Sequence, residues 1–284
     1  MQWRDAFRTA ARELAAADIE ASAHEASYLL EWATGKSLSQ WILEDGVLSQ
    51  EAEERLWEGV RRRQRREPLA YIVGRREFYG LNLRVGPAVL IPRPETEGVV
   101  ERVLTELQAE RATVADIGTG SGAIALALKH ERPRWTVIGA DVDPAALKIA
   151  RDNGMTLGLE VLWLESDLME AVPRPLDAIA ANLPYVREGD PCLAEETAFE
   201  PPHALFAPQN GEGLIRRLIV QSREWLRPGG LLVLECGYQQ AATLSEWMRL
   251  EGFQGIAATK DFSGIERVLS GRWPGEGGAH GRIH

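Results

Sequence analysis

Apolar residues in the first seventy positions recur every three or four residues, which is typical of amphipathic helices. The second helical segment ends at Gly35, a residue that suits the left-handed conformation after a helix. A capping-box pattern at 37–40 predicts a short third helix. A fourth helix is expected to begin near Ser49 and to stop at Pro68. The pattern therefore predicts an all-helical N-terminal domain over residues 1–70.

The pattern changes to alternation after this domain. Apolar and polar residues alternate at 78–85, which predicts a strand, and 88–91 predicts a second strand after a Gly86-Pro87 turn. Together the two segments predict a β-hairpin that links the helical domain to the rest of the chain. We assign this hairpin linker to residues 71–98.

From residue 113 onward, short apolar runs alternate with helical segments. Strands are predicted at 113–117, 135–140, 160–165, 176–181, 231–235, 255–260 and 265–270. Runs that are apolar on both faces and separated by helices are typical of a largely parallel, doubly wound α/β sheet. The last two strands are expected to pair in the antiparallel direction at the edge. We assign this sheet domain to residues 99–273 and predict a flexible tail at 274–284.

The 284 residues include 32 basic and 42 acidic side chains, a formal net charge of −10. Sequence-independent binding to DNA or RNA requires Lys and Arg that displace counterions, so this charge argues against it. No apolar run approaches the roughly 20 residues that cross a bilayer, and the charged N-terminus is unlike a secretory signal. Cys192 and Cys236 lack the spacing of a metal site or a disulfide framework. We expect a cytoplasmic protein without a membrane segment or a metal.

Five arginines lie within residues 61–66, at the end of the predicted fourth helix. Positive charge suits a helix C-terminus, and nearby glutamates favour a solvated helix end. The alternative is contact with a nucleic acid or another partner.

A glycine-rich loop follows the first strand of the sheet domain. Its candidate cofactor-binding residues are Gly118, Thr119, Gly120, Ser121 and Gly122. Glycines allow a sharp turn and close approach of a ligand, and Asp141 at the end of the next strand can accept hydrogen bonds from ribose hydroxyls. A nicotinamide dehydrogenase and an S-adenosylmethionine methyltransferase both need this arrangement. The spacing of the third glycine favours the methyltransferase. Asp167 is a candidate acceptor for an adenine amino group or, equally, a loop cap.

The segment Asn182-Leu183-Pro184-Tyr185 ends the fourth strand of this domain and is expected to face the same cleft. A planar amide or aromatic amine is a poor nucleophile because its lone pair is delocalised. The side-chain oxygen of Asn182 and the carbonyl of Leu183 can both accept hydrogen bonds from one NH2 group and favour a pyramidal nitrogen. Pro184 stiffens the backbone, and the ring of Tyr185 can pack on a planar substrate. We predict Asn182, Pro184 and Tyr185 as catalytic residues.

Several longer segments resemble the HemK/PrmC family of protein-(glutamine-N5) methyltransferases. They are PLAYI at 68–72, EFYGL at 77–81, IPRPETE at 91–97 and DIGTGSGAIAL at 116–126. The IPRPETE segment is the most specific, because Asn-x-Pro-Tyr is shared by many amino-group methyltransferases. The resemblance implies a seven-stranded class I methyltransferase sheet, Rossmann-like, with a helical domain that helps to bind the substrate protein. The implied reaction methylates the glutamine of the Gly-Gly-Gln motif in peptide-chain release factors and modulates translation termination.

By position, the resemblance also implies cofactor contacts at the glycine loop, Asp141, Leu168 and Asn182. The substrate glutamine is implied to contact Asn182, Leu183, Pro184 and Tyr185. Two positions depart from the family pattern, Leu183 in place of a proline and Leu168 in place of an aromatic residue. Asn-Leu-Pro-Tyr is also similar to the motif of RNA adenine dimethyltransferases. An adenine-N6 methyltransferase acting on DNA or RNA is therefore the alternative, although no direct nucleic-acid substrate is expected.

The charged residues of the IPRPETE segment have two interpretations. Arg93, Glu95 and Glu97 can close over the substrate, or they can cap their helix and pair with each other. The sequence favours neither.

Overall fold

The computed structural model describes residues 1–44, 46–187, 189–190 and 193–275. Cys192 and the predicted tail beyond Gly275 lie outside these residues. The chain forms two compact units. The helical unit comprises Met1–Arg75 and Ala194–Phe199, and the sheet unit comprises Arg76–Leu193 and the chain from Glu200 onward. The prediction of a helical domain over residues 1–70 therefore lacks the segment 194–199.

The helical unit contains the helices α1 (Trp3–Ala16), α2 (Ser22–Thr34), α3 (Leu38–Glu44), α4 (Gln50–Gln64) and α5 (Leu69–Val73). Its core is built from apolar residues of α1, α2 and α4 such as Leu14, Leu29 and Leu56, which are fully buried. The predicted capping box is confirmed. The backbone nitrogen of Ser37 donates to the side chain of Gln40 at 2.8 Å, and the nitrogen of Gln40 donates to the Ser37 hydroxyl at 3.3 Å.

The arginine run at the end of α4 pairs with carboxylates of the helical unit. Arg63 is buried and contacts Glu25 at 2.6 Å and Glu196 at 3.1 Å. Arg66 contacts Glu195 at 3.1 Å. The two glutamates at 195–196 belong to the segment that returns from the sheet unit's chain. The expectation of a solvated helix end is therefore wrong for Arg63, because long-range ion pairs take it out of water.

The linker contains a two-stranded sheet of β1 (Arg75–Phe78) and β2 (Leu81–Arg84). A linker hairpin is thus present, but the predicted position of its turn is wrong. The turn lies at Tyr79-Gly80, which both have positive φ (50° and 73°), and this conformation matches the twist of hairpin strands. The predicted second strand at 88–91 is absent from the described chain. There the nitrogen of Val89 donates to the carbonyl of Gly86 in a separate turn.

Seven strands of the described chain form the main sheet. They are β3 (Thr113–Ile117), β4 (Thr136–Asp141), β5 (Leu162–Glu165), β6 (Leu176–Ala181), β7 (Leu226–Glu235), β8 (Gln254–Lys260) and β9 (Glu266–Trp273). Their order is β5-β4-β3-β6-β7-β9-β8, and β9 runs antiparallel to both neighbours. The doubly wound sheet and its antiparallel edge are confirmed. The strand β7 begins five residues before its predicted start.

Helices cover both faces of this sheet. They are α6 (Glu97–Glu106), α7 (Ala123–Glu131), α8 (Pro144–Leu157), α9 (Pro202–Leu205), α10 (Gly213–Trp225) and α11 (Ala241–Leu250), and a 3-10 turn at Pro94–Thr96 precedes α6. One apolar core lies under α10 and α11 and includes Ile117, and the other lies under α6 and α7 and includes Val114. Within the described chain, no helix combines the length and the apolar character that crossing a membrane requires.

The strand order places a crevice at the carboxyl ends of the two central strands, β3 and β6. The chain runs outward from β3 to β5 and then returns to β6 on the other side of β3. Ligands of open α/β sheets bind where the strand order reverses in this way, beyond the carboxyl ends of the strands. The glycine loop follows β3, and Asn182 follows β6, so both segments meet at this crevice.

Candidate functional site

A cleft that is open to solvent lies at the carboxyl ends of β3, β4 and β6. Most of the site residues expected from the sequence line it. They are Gly118, Thr119, Gly120, Ser121, Asp141, Asp167, Leu168, Asn182, Leu183 and Pro184. Apolar residues from the segment before α6, such as Val89, Leu90 and Pro92, form part of the wall. The fold therefore brings the glycine loop and the Asn-Leu-Pro segment to one place.

The glycine loop is held by the backbone of the neighbouring strand. The nitrogens of Gly118 and Thr119 both donate to the carbonyl of Ala140, at 2.9 and 3.0 Å. Gly118 and Gly120 have positive φ angles of 72° and 55°, a conformation that residues with a Cβ rarely adopt. These angles turn the chain sharply away from β3 and leave the loop against the cleft.

Asp141 fastens the far side of this loop. Its Oδ2 accepts a hydrogen bond from the nitrogen of Gly120 at 2.8 Å, and its Oδ1 accepts one from the nitrogen of Asp143 at 3.0 Å. Burial raises the pKa of the Asp141 carboxyl, and the two backbone donors oppose this shift. Each carboxylate oxygen accepts more than one hydrogen bond, so the group can still receive hydroxyl donors from the cleft.

Gly122 serves packing rather than the cleft wall. A Cβ at this position would lie 2.8 Å from the ring of Trp163 and 3.1 Å from the side chain of Leu126. Its φ of 84° also favours glycine. Of the described residues expected to bind the cofactor, Gly122 is absent from the cleft lining. Its glycine is required by the contact between α7 and β5.

Asp116 fixes the loop from below. Its buried Oδ2 accepts hydrogen bonds from the Thr119 hydroxyl at 2.5 Å and from the nitrogen of Ala125 at 3.1 Å. Within the described chain, Oδ1 has no hydrogen-bond partner. Burial raises the pKa of this carboxyl to about 7, although both hydrogen bonds lower it. Asp116 thus connects the end of β3, the loop and the first turn of α7.

Asn182 presents an acceptor to the cleft. Its Nδ2 donates to the Thr96 hydroxyl at 2.9 Å. No residue of the described chain donates to its Oδ1 or to the carbonyl of Leu183. These two oxygens therefore have no donor among the described residues and can accept a hydrogen bond from a group that enters the cleft.

Leu183 packs directly over the glycine loop. Its side chain is buried, and a Cβ on Gly118 would lie 2.8 Å from its Cδ2. The side chain belongs to the core under α10. Leu183 therefore holds its segment by packing, where the family pattern has a proline that restricts the backbone.

Tyr185 lies behind the cleft. Its hydroxyl donates to Oε1 of Glu235 at 3.0 Å, and its ring packs near Gly237. Burial, together with the charge of Glu235, raises the pKa of the Tyr185 hydroxyl. In the described chain Tyr185 does not belong to the lining of the cleft, so stacking of its ring on a substrate stays a prediction.

Asp167 and Leu168 approach the cleft from the β5 side. Leu168 is buried with a φ of 52°, and its carbonyl accepts a hydrogen bond from the Ser166 hydroxyl at 2.9 Å. Asp167 is about half exposed and pairs with Arg217 at 2.9 Å. Both residues lie where an adenine contact was expected, but the Asp167 carboxylate already has a basic partner.

The charged residues of the IPRPETE segment do not pair with one another. Arg93 pairs with the buried carboxylate of Glu200, which also accepts from the nitrogen of Ile91 at 3.1 Å. Glu97 accepts from the nitrogen of Tyr79 at 2.8 Å and so ties the hairpin turn to α6. Glu95 is exposed. Neither of the two interpretations from the sequence describes this arrangement fully.

Three residues of the site were missed by sequence reasoning. Thr96 lies within the quoted IPRPETE segment, yet its contact with Asn182 joins residues 86 positions apart. Glu235 ends β7, and a carboxylate at a strand end is a signal that was available. His203 lines the cleft 3.4 Å from Asp143 and gave no recognisable signal.

Two family models match the chain. The PrmC N-terminal domain matches residues 5–74, and the methyltransferase small domain matches residues 99–250. The crystal structure of a methyltransferase from Pyrococcus furiosus covers 68% of this chain and 89% of its own, with a TM-score of 0.54 and 18% identity. At this identity the structural likeness supports the fold alone.

Curated relatives match almost the entire chain. The release factor glutamine methyltransferase of Salmonella typhimurium is 39% identical over 261 residues, which are 90% of this chain and 94% of the relative. The release factor glutamine methyltransferase of Escherichia coli is 38% identical over 278 residues, which are 96% and 99% of the two chains. Because these relatives are 38–39% identical to the chain over nearly its whole length, the chain belongs to the family of release factor glutamine methyltransferases.

Proposed function

We propose that this protein transfers a methyl group from S-adenosylmethionine to the side-chain amide nitrogen of the glutamine in the Gly-Gly-Gln motif of peptide-chain release factors. The observation that carries the proposal is the pair of free acceptors at Asn182 Oδ1 and the Leu183 carbonyl, beside a glycine loop that can hold the cofactor. A dehydrogenase would not need two acceptors for an NH2 group.

The cleft fits S-adenosylmethionine in its chemistry. A Cβ on Gly120 would meet nothing within 4 Å, so the loop leaves open space where the amino acid portion of the cofactor can lie. Asp141 is placed to accept from the ribose hydroxyls, and the apolar wall at Leu168 can cover the adenine. When bound, the cofactor supplies an electrophilic methyl group on a sulfonium sulfur.

Asn182 and Leu183 act on the acceptor nitrogen. Their two oxygens accept the two hydrogens of the substrate amide, which favours a pyramidal nitrogen and aims its lone pair at the methyl carbon. A nitrogen–carbon bond forms while the carbon–sulfur bond breaks, and the nitrogen then loses one proton to water. Because positioning supplies most of the rate, no strong base is required.

The assay uses radiolabelled S-adenosylmethionine with purified release factor, with the same factor carrying Gln→Ala in its Gly-Gly-Gln motif, and with adenine-containing nucleic acid. We expect label in the intact factor only. Label in nucleic acid alone would establish the adenine-N6 alternative instead. Equal labelling of both factor variants would show that another residue is the acceptor.

The helical unit is proposed to bind the release factor. Leu43 on α3 is 85% exposed, and Leu250 at the end of α11 in the sheet unit is 71% exposed. Leu43 is therefore the test position, and Leu250 is a control of similar exposure. Leu43→Ser is expected to raise the KM for the release factor severalfold without changing cofactor affinity, whereas Leu250→Ser leaves both unchanged. Equal KM values for the two variants would contradict a recognition role at α3.

Because release factors act in translation, we also propose that the protein is located in the cytoplasm. Fractionation of lysed cells is expected to recover it with cytosolic markers, and recovery in the membrane fraction would refute this location.

A further inference from the structure

A cluster of polar groups lies between the cleft and the core of the sheet unit. Nδ2 of Asn182 donates to the Thr96 hydroxyl at 2.9 Å, and the Tyr185 hydroxyl donates to Glu235 at 3.0 Å. Thr96 and Glu235 are 4% and 1% exposed. Buried polar groups are costly unless they are hydrogen-bonded, so this cluster requires an explanation.

The contact between Asn182 and Thr96 does not by itself fix the asparagine amide. A hydroxyl can accept from the amide NH2, but it can equally donate to the amide oxygen after a flip of the side chain. The flipped amide would point its NH2 at the cleft, where it would repel the NH2 group of the substrate amide. Some other group must therefore determine the direction in which the Thr96 hydroxyl donates.

Glu235 is placed to determine this direction. The Thr96 hydroxyl lies close enough to the Glu235 carboxyl to lower its pKa. Within the described residues, Oε2 of Glu235 has no hydrogen-bond partner of its own. An ionised carboxylate can only accept hydrogen bonds. A Thr96 hydroxyl that donates to this carboxylate has only its oxygen left to interact with Asn182, and that oxygen accepts from the amide NH2.

We propose that Thr96 and Glu235 are positioning residues that fix the Asn182 side chain with its oxygen toward the cleft. The consequence for turnover rests on the proposed function, in which that oxygen accepts from the substrate amide. The orientation itself belongs to the protein alone.

The surroundings of Glu235 make the orientation of the Asn182 side chain sensitive to pH. Burial raises the pKa of Glu235 to about 7, Glu95 raises it further, and Thr96, Tyr185 and Arg267 lower it. Below this pH, a protonated Glu235 can donate to Thr96, and the hydroxyl is then free to donate to Asn182. The ionised form of Glu235 therefore supports turnover, and kcat should rise with pH through this range.

The first test compares two substitutions of Thr96 in the full chain. Thr96→Val keeps the shape but removes the hydroxyl, and we expect kcat to fall on the order of tenfold with cofactor affinity unchanged. Thr96→Ser restores the hydroxyl and most of kcat. Unchanged turnover in Thr96→Val, or equal losses in both variants, would overturn the positioning role.

The second test follows kcat between pH 6 and pH 8 in Glu235→Gln. The wild type is expected to show a rising limb in this range, and the variant is expected to lack it because glutamine does not titrate. Thermal melting of both proteins shows whether the variant is folded. A limb of the same midpoint in a folded variant would refute the role of Glu235.

The third test does not depend on the release factor. In protein labelled with 15N-asparagine, the side-chain NH2 signals of Asn182 are identified by their loss in Asn182→Ala. We expect Thr96→Val to move them and Thr96→Ser to leave them near their wild-type positions. Signals that stay in place in Thr96→Val would refute the positioning of the Asn182 side chain by Thr96. Failure of the wild type to methylate release factor would refute only the proposed function.

Discussion

The cleft has two halves, one proposed to bind the cofactor and the other proposed to bind the methyl acceptor, and they are stabilised in different ways. On the cofactor side, the contacts are local, since Thr119 binds Asp116 three residues away and Gly120 binds Asp141 21 residues away. On the acceptor side, Asn182 binds Thr96 across 86 residues, and Tyr185 binds Glu235 across 50. The cofactor loop is therefore largely specified by one β-α-β unit, whereas the acceptor motif depends on the completed sheet.

The largest effect is expected from Asn182→Ala, which changes only the half of the cleft proposed to bind the methyl acceptor. Asn182→Ala removes one of the two acceptors for the substrate NH2, and we expect methyl transfer to release factor to fall on the order of 10²-fold or more. Cofactor affinity, measured by calorimetry, should stay within about twofold because the glycine loop does not depend on Asn182. Wild-type turnover in this variant would refute its acceptor role.

The second prediction sets two glycines of the same loop against each other. Gly118→Ala places a Cβ 2.8 Å from Leu183 at a φ of 72°, so strain and overlap add. We expect it to lower the free energy of unfolding by about 3 kcal/mol.

Gly120→Ala is the matched control, because its Cβ meets open space and only the strain of its φ remains. Its loss should be about 1 kcal/mol. Urea unfolding of both variants measures the difference. Equal losses would mean that the contact with Leu183 contributes nothing.

A third prediction concerns the buried carboxyl below the cofactor loop. The pKa of Asp116 in the folded protein is about 7, above the ordinary value of 3.8, so the folded state holds an extra proton between these values. The stability that this proton confers is complete below about pH 4 and is lost as the pH rises through the folded-state pKa. Relative to Asp116→Asn, the wild type should lose about 2 kcal/mol between pH 5 and pH 7.

Urea unfolding at the two pH values checks this loss. Asp261→Asn is the control, because hydrogen bonds from the backbone and from Arg267 hold the pKa of Asp261 below its ordinary value. That carboxyl stays ionised throughout the range, so Asp261→Asn should lose as much unfolding free energy between pH 5 and pH 7 as the wild type. If Asp116→Asn shows the same loss as the wild type, Asp116 does not titrate in this range.

The smallest effect is expected on the β5 side of the cleft, where Asp167 is proposed to contact adenine. Arg217 pairs with Asp167 at 2.9 Å, and both side chains are nearly half exposed, so the pair should contribute less than about 1 kcal/mol. Arg217→Ala is expected to change the cofactor Kd by less than about threefold. Asp167→Ala should weaken it more if Asp167 accepts from adenine. Equal effects of the two substitutions would leave Asp167 a partner of Arg217 only.

Sequence patterns gave a good account of the sheet and of the loop that follows β3. Gly118 and Asp141 could be identified because strand, loop and next strand edge follow each other in order, and this order determines their geometry. Gly122 was found for a different reason than the structure shows, since its neighbour Trp163 comes from a later strand. The hairpin turn differs from the prediction because the alternating pattern continues through Gly80, which is a turn residue in the structure.

The relation between Thr96, Asn182 and Glu235 was beyond sequence reasoning. Each residue lies at a position that carries a signal of its own, but only the packing of α6 against β6 and β7 brings the three together. Similarly, pairing of Arg63 with Glu196 required the return of 194–199 to the helical unit. Spacing in a single sequence carries no information about such long-range partners.

The packing of Leu183 on Gly118 restricts the order in which mutations can accumulate at this site. A leucine at position 183 occupies the volume that a Cβ at position 118 would need. Replacement of the glycine is expected to cost less stability after residue 183 has become smaller, and the leucine is expected to cost less where the glycine is already present. The two positions are therefore expected to show strong epistasis, although one belongs to the cofactor loop and the other to the acceptor motif.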